Sequence, residues 1–169
     1  MEAYEQMMKK NRLIYGLYVG FFAGLIWGTI KILAYYLGFT KVIPAFIADA
    51  FFKHDALEGW VGHIAYGLIS FIIFSMIVSF LYALLFHKVN GYWLGLAYGV
   101  IWWVLIYIAV GPYIGMVPKI LDIDWNSRLT DFCIFLMWGI FIGYTIAYEY
   151  TEERTREPFT NFDQPKSEP

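Results

Sequence analysis

The chain has 169 residues, of which 60% are hydrophobic and only 15% are charged, and its mean hydropathy is +0.55. Soluble domains are roughly 45–50% apolar and roughly 25% charged, so this composition indicates an integral membrane protein. A net charge of −2 leaves no basic surface to neutralise phosphates, which excludes nucleic acid as a partner. The single cysteine, Cys133, cannot form an internal disulfide and has no second thiol for a metal site.

Four apolar runs are long enough to cross a bilayer, because about 30 Å of hydrocarbon requires about 20 helical residues. The runs cover residues 13–38, 60–86, 91–110 and 129–148. The first run is too long for a signal peptide and no cleavage site follows it, so it is predicted to be a retained span. Backbone groups in hydrocarbon must be satisfied within their own segment, so all four runs are predicted to be α-helices. The predicted fold is therefore an all-α integral membrane protein with a four-transmembrane-helix bundle.

The segments around the spans have distinct compositions. Residues 1–12 form a predicted cytoplasmic tail, residues 13–150 a single transmembrane domain, and residues 151–169, with three prolines and mixed charge, a disordered cytoplasmic tail. Residues 41–52 are apolar but too short to cross, which predicts a short interfacial helix on the outer membrane surface or tucked over the bundle. Residues 111–118 contain two prolines and two glycines, so the third helix is expected to break there.

The distribution of Lys and Arg predicts the orientation of the bundle. Outside the spans, the two tails and the second loop contain seven of these residues, whereas the first and third loops contain four. Positive charge favours the cytoplasmic side, so both termini are predicted to be cytoplasmic. Aromatic residues mark the predicted outer ends of the spans, at Tyr35, Tyr36, Tyr107 and Trp125.

Small residues recur at every fourth position along the predicted helices, a spacing that lets helix backbones approach closely in a bilayer. The glycines of these lines are Gly16, Gly20, Gly24 and Gly28 in the first helix, Gly91, Gly95 and Gly99 in the third, and Gly139 and Gly143 in the fourth. Two interpretations fit them: packing within one bundle, or a seam between copies of the chain. Shifting the first helix by 75 positions aligns its glycine line with that of the third, which suggests two parallel helical-hairpin repeats. The second and fourth helices do not align convincingly, so convergence on a packing motif is an open alternative.

Ionisable residues inside a membrane helix are costly and are therefore candidates for function. The candidate polar cluster consists of Lys31, Glu58, His63 and Asp131. Lys31 shares a helix face with the first glycine line, so it either pairs inside the bundle or extends to the interface. His63 lies on a line of small residues and is either an interhelical hydrogen bonder or a ligand. The predicted topology places all four in the outer half, where they would form a charged vestibule.

Structural explanations compete with a functional one for the acidic members. Asp131 can pair with Arg128 and can stabilise the positive N-terminal end of its helix, and Glu58 can do the latter for the second helix. The histidines and acids within residues 54–63 match no zinc-binding spacing, so no metal site and no cofactor are predicted. No nucleophile elbow, Walker A or HExxH motif occurs, so no catalytic residue is predicted.

Four ordered motifs carry a resemblance to a known family. They are FTKVIP at 39–44, LEGWVGH at 57–63, AYGVIWWVL at 97–105 and LTDFCIFLMWGIFIGYTIAYEY at 129–150. Over residues 13–150 the chain resembles the YqhR family of conserved membrane proteins from endospore-forming Bacilli. The resemblance implies a small multi-pass protein of the bacterial cytoplasmic membrane, and it supplies no catalytic residues.

Abundant packing motifs and scarce chemistry favour one functional hypothesis. The chain is predicted to be a non-enzymatic accessory or scaffold subunit that acts through helix contacts in the lipid bilayer, with a membrane-protein partner or as a homo-oligomer. The alternative is a small transporter or channel component with an outer polar site around Lys31 and His63. An intramembrane enzyme ranks third, because no acid–base or nucleophile arrangement is visible.

Overall fold

The computed structural model describes residues 2–49, 60–86 and 92–156, and this part of the chain is helical without any strand. The helices are α1 (Glu2–Tyr36), α2 (Phe46–Asp49), α3 (Trp60–Leu85), α4 (Tyr92–Val104), α5 (Gly111–Ile114) and α6 (Trp125–Arg156), and a π-helix (Leu105–Val110) joins α4 to α5. Four stretches are long and apolar enough to cross a membrane: Leu13–Tyr36, Ile64–Leu85, Trp93–Ile114 and Trp125–Glu149. The predicted all-α architecture with four spanning helices is confirmed.

Helices α1 and α6 extend beyond the predicted spans. α1 begins at Glu2, and α6 continues to Arg156, six residues into the segment expected to be disordered. Residues 2–12 and 151–156 are rich in Glu, Gln, Met, Lys and Arg. These are good helix formers, so a helix already nucleated in the membrane propagates through them into water. Residues 157–169 of the predicted tail lie outside the described residues.

The four spanning helices form two closely packed pairs, α1 with α3 and α4 with α6. A methyl group added at Gly20 would lie 2.6 Å from the Cα atom of Met76, and one added at Gly95 would lie 2.7 Å from the carbonyl oxygen of Gly139. Such separations leave room for a hydrogen atom and for nothing larger. The described glycines of these lines therefore lie at close contacts between helices of the same chain. Gly91 lies outside the described residues.

The two pairs also pack in the same register. A side chain at Gly20 would meet Ser75, Met76 and Ser79, whereas a side chain at Gly95 would meet Gly139, Ile140 and Gly143. The second set follows the first by 64 positions, and the same shift places Phe71 on Phe135 and Ala83 on Ala147. The equivalent contacts of Gly20 and Gly95 thus align α3 with α6, which could not be aligned convincingly from the sequence alone. This alignment supports the prediction of two parallel hairpin repeats.

Hydrogen bonds and aromatic rings join one pair to the other. The indole Nε1–H of Trp138 donates to the Ser75 hydroxyl at 2.9 Å, which links α6 to α3. The Tyr98 hydroxyl donates to the carbonyl oxygen of Val78 at 2.8 Å, which links α4 to α3. Trp138 is fully buried and stacks on Phe74, with ring centroids 5.8 Å apart. The centre of the bundle is therefore an aromatic core held in place by a few directional hydrogen bonds.

The segment after α1 folds back over the end of the bundle at which α1 ends. Gly38 ends the first span with a φ of +77°, a left-handed conformation that glycine adopts without strain. Ala45, Phe46 and Ile47 are then buried, and the backbone at Ala45 would lie 2.9 Å from a methyl group on Gly67. Of the two placements predicted for residues 41–52, the described part is tucked over the bundle, and residues 50–52 lie outside the described residues.

Candidate functional site

Lys31 of α1 and Asp131 of α6 form an ion pair inside the bundle, between the Lys31 Nζ and the Asp131 Oδ1. The two residues are 2% and 0% exposed. The Lys31 Nζ also lies 5.7 Å from the centre of the Phe46 ring, within range of a cation–π contact. Of the alternatives for Lys31, the structure shows pairing within the bundle and no extension of the side chain to the interface.

Tyr107 completes the pair from a third helix. Its hydroxyl donates to the Asp131 Oδ2 at 2.8 Å and accepts from the Lys31 Nζ at 3.4 Å. The ring is fully buried, between Phe46 of α2 and Phe135 of α6. Tyr107 was predicted to mark the membrane interface, and the structure places it inside the bundle instead.

The π-helix explains this position of Tyr107. Pro112 has no N–H to offer the carbonyl four residues earlier, and in a regular α-helix its ring would collide with that carbonyl. The helical turn before Pro112 contains one extra residue. The Gly111 N–H therefore donates to the carbonyl oxygen of Ile106, five positions earlier, as in a π-helix. Ile106 and Tyr107 become buried as neighbours. The helix ends at Ile114, where Gly115 has a φ of +82°, within the stretch predicted to break.

Thr40 covers the ion pair on the side of the segment that follows α1. Its hydroxyl donates to the Asp131 Oδ2 at 3.0 Å and accepts from the Val42 N–H at 3.2 Å. Asp131 therefore accepts from three side chains, those of Lys31, Tyr107 and Thr40, and we call these four residues the buried charge cluster. A carboxylate with this many donors is matched in charge and in hydrogen bonding, which is the condition under which an ion pair survives away from water.

A second polar contact fastens the same segment to the start of α6. Asp124 directly precedes α6 and accepts from the N–H and hydroxyl of Ser127 at 3.3 and 3.0 Å, which caps the helix. The Ser127 hydroxyl accepts from the Lys41 N–H at 2.8 Å. Desolvation raises the pKa of Asp124, but hydrogen bonds from Ser127 and the charge of Lys41 outweigh it, so the pKa lies below its ordinary value. Asp124 thus stays ionised at neutral pH, and its contact with the Lys41 Nζ holds the segment after α1 against the start of α6.

With the midpoint of each span placed at the bilayer centre, the ion pair of Lys31 and Asp131 lies within the hydrocarbon layer. Lys31 and Asp131 are six to seven residues from the midpoints of their spans. At 1.5 Å per residue this places them about 9–10 Å from the bilayer centre, inside a half-thickness of about 15 Å. Water is scarce at this depth, so each charge depends on its protein partners.

The other candidate residues have different outcomes. Glu58 lies outside the described residues, and His63 lies in the first turn of α3, where only the backbone is described. Arg128 does not pair with Asp131, because its guanidinium donates to the carbonyl oxygens of Leu121 and Ile123 at 3.1 and 2.7 Å. Of the four residues predicted to form the vestibule, the described part of the chain therefore shows two, Lys31 and Asp131, and these form a buried ion pair. No group of three potential metal ligands occurs among the described residues.

Tyr107→Phe is expected to lower the free energy of unfolding by about 1.5–3 kcal/mol, because the Asp131 carboxylate loses a hydrogen-bond donor. Tyr98→Phe is the matched control, since the Tyr98 hydroxyl donates to a neutral backbone carbonyl and its loss should cost about 1 kcal/mol. Denaturation in detergent micelles, followed by circular dichroism, measures both. Equal losses for the two variants would contradict a charged acceptor at Asp131.

Comparison with known proteins places the chain in a family. A family model described as "Conserved membrane protein YqhR" matches residues 2–161. The chain belongs to the YqhR family. A relative from Bacillus subtilis (strain 168), named "Uncharacterized protein YqhR", is 31% identical over 136 residues, which cover 79% of this chain and 74% of the relative. No solved structure matches the chain.

Family membership confirms the resemblance drawn from the sequence motifs and supports a bacterial membrane protein. Both residues of the ion pair lie within the matched range 2–161. The orientation of the termini stays a prediction.

Proposed function

We propose that this protein is a non-enzymatic accessory or scaffold subunit of the bacterial cytoplasmic membrane, with cytoplasmic termini, that acts through helix contacts with a membrane-protein partner. The observation that supports this proposal is the closure of the buried charge cluster. Its four residues are at most 2% exposed, and the carboxylate accepts from three donors within the chain. Charges neutralised in this way hold helices together and leave no open position for a substrate.

The exposed faces of the helices indicate where a partner would pack. Because the glycine lines already serve contacts inside the bundle, a partner helix would meet larger side chains. A shallow apolar groove runs along the lipid-facing side of α1, where Tyr18, Phe21 and Phe22 are exposed beside Met76 of α3. Aromatic and aliphatic ridges of this kind pack by van der Waals contact, which drives helix association in a bilayer.

Site-specific photo-crosslinking in native membranes tests the proposal. A photoreactive residue at Phe22 is expected to give one discrete crosslinked product, whereas the same residue at Met137, exposed on α6, should give only diffuse lipid adducts. Two differently tagged copies of the chain distinguish a homo-oligomer from a second protein. Identical patterns at the two positions, with no discrete product, would contradict a partner on this face.

A small transporter or channel component is the second candidate function, and it too has an observation in its favour. The indole N–H groups of Trp27 and Trp103 are buried and have no hydrogen-bond partner among the described residues. Each lies four residues before a member of the buried charge cluster, Lys31 or Tyr107, and so one turn nearer the bilayer centre. Unsatisfied buried donors are the usual positions of ordered water, and a chain of water would carry protons or ions.

Thiol accessibility separates the two candidates. In a Cys133→Ser background, Thr40→Cys is expected to resist charged, membrane-impermeant thiol reagents added to either side, because Thr40 is buried against Asp131. Lys41→Cys is the positive control, since the Lys41 side chain is 79% exposed beyond the end of the first span, next to Thr40 in the chain. Modification of both thiols at similar rates would show a water path to the ion pair and would favour the transporter.

A further inference from the structure

A cavity opens beside the cluster at the outer end of the third spanning helix. Its volume is about 380 Å³, within the range of roughly 300–1,000 Å³ that holds small ligands. The walls are mostly apolar, with Ile108, Pro112 and Ile120 among them, and Lys119 is the charged residue in the lining. Tyr107 also contributes to the lining, so an occupant would lie next to the residue that holds Asp131.

The cavity crosses the boundary between hydrocarbon and headgroups. Ile108 belongs to the third span, which ends at Ile114, whereas Lys119 lies in the connection before the next span begins at Trp125. At the rim, the side chains of Tyr113 and Leu121 are 89% and 83% exposed. Large apolar side chains this exposed beside a membrane span are expected to contact lipids, and we infer that the cavity opens toward them.

The charge of Lys119 is unmatched within the described part of the chain. No acidic side chain there forms an ion pair with it, in contrast to Lys41, whose Nζ lies 3.5 Å from the Asp124 Oδ1. An ammonium group above apolar walls complements an amphiphile that has a negative headgroup and an acyl chain. A free ammonium group is also a good donor to a phosphate oxygen.

We propose that this cavity binds one anionic phospholipid from the surrounding leaflet. The phosphate is held by the Lys119 ammonium group, and an acyl chain lies along Ile108, Pro112 and Leu121. The lipid fills the space beside Tyr107 and thereby holds the outer end of the third spanning helix against the buried charge cluster. This site is separate from the partner-facing groove on α1.

Lipid retention by the full-length purified protein tests the site. Delipidated protein in mild detergent is titrated with phosphatidylglycerol or phosphatidylcholine, bound lipid is counted by native mass spectrometry, and the melting temperature is recorded. Wild-type protein is expected to retain one phosphatidylglycerol and to melt several degrees higher with it than with phosphatidylcholine. Lys119→Gln should weaken retention about tenfold, as expected for losing one charge-assisted contact, and Lys119→Arg should restore it.

Two further variants assign the lipid to the cavity. Lys41→Gln removes a charge that is already paired at the same membrane surface, so it is the matched control and should retain the lipid as wild type does. Ile108→Trp keeps Lys119 but fills the cavity, and it should lose the lipid. Equal retention by Lys119→Gln and Lys41→Gln would overturn the proposal. An equal rise in melting temperature with glycerol 3-phosphate alone would also overturn it, because the occupant would then be a soluble anion.

Discussion

Asp131→Leu is expected to lower the free energy of unfolding by about 3–5 kcal/mol, the largest effect of any single substitution at the site. The variant leaves the buried Lys31 ammonium group with the Tyr107 hydroxyl as its remaining hydrogen-bond partner. It also leaves the Thr40 and Tyr107 hydroxyls without their acceptor. Unfolding by increasing SDS in mixed micelles, followed by circular dichroism, measures the loss.

The double variant Lys31→Met/Asp131→Leu is the control for this prediction. Removing both charges removes the desolvation cost together with the attraction, and buried ion pairs replaced by apolar residues are often as stable as before. The double variant should therefore be more stable than Asp131→Leu alone by about 2 kcal/mol or more, with a residual deficit from the two unpaired hydroxyls. Losses that simply add would show that Lys31 and Asp131 do not interact.

The same pair of variants bears on function. If the cluster is structural, the double variant keeps the crosslinked product formed from Phe22, because the groove on α1 is made of other residues. If the cluster carries protons or ions, the double variant is folded and inactive. A structural role of the cluster thus predicts that these substitutions change only the stability. A transport role predicts that they also abolish the activity.

The spans and the small-residue faces used for close helix packing could be predicted from the sequence because both leave local, periodic signals. A spanning helix requires about 20 apolar residues in a row, and close backbone contact requires a small residue at every fourth position. Gly20 and Gly95 satisfy the second rule, and each faces the backbone of a neighbouring helix. The partner of each line could not be read from the sequence, because a line of glycines does not specify the surface that it contacts.

The buried charge cluster was only half predictable. Lys31 and Asp131 stand out as intramembrane charges, but they are 100 residues apart and Arg128 was a nearer partner for Asp131. Tyr107 was missed because the predicted span ends at residue 110, where a tyrosine is expected to mark the interface, whereas the spanning helix continues through the π-helix to Ile114. Pro112 is the residue from which the π-helix could have been predicted. A proline within an apolar run forces a change of helical geometry just before it.

Thr40 was missed for a different reason. Its hydroxyl reaches Asp131 because the chain reverses at Gly38 and folds over the end of the bundle. The direction of that reversal depends on the burial of Phe46 and Ile47 against α3, which is a tertiary contact between segments far apart in the sequence. A threonine next to a predicted span end has no distinguishing local pattern.

The second large effect is expected at the contact between α4 and α6. A methyl group at Gly95 would lie 2.7 Å from the carbonyl oxygen of Gly139 and 3.0 Å from the Cα atom of Gly143. Backbone atoms cannot rotate away, so Gly95→Ala must push the two helices apart, at a cost of about 2–3 kcal/mol. The same mixed-micelle unfolding measures this loss.

Gly28→Ala is the matched control for Gly95→Ala. The added methyl group would again be close to its neighbours, but these are side-chain atoms, the Cδ1 atom of Leu68 at 2.9 Å and the Cδ1 atom of Phe71 at 3.2 Å. The leucine can change rotamer, and alanine is a better helix former than glycine, so the net change should be less than about 1 kcal/mol. Both substitutions add one methyl group to a glycine line of a spanning helix, and they differ in whether backbone or side chain must move. A larger loss at Gly28 than at Gly95 would therefore contradict the packing of α4 on α6, whereas the opposite order would show that backbone proximity sets the stability of each pair.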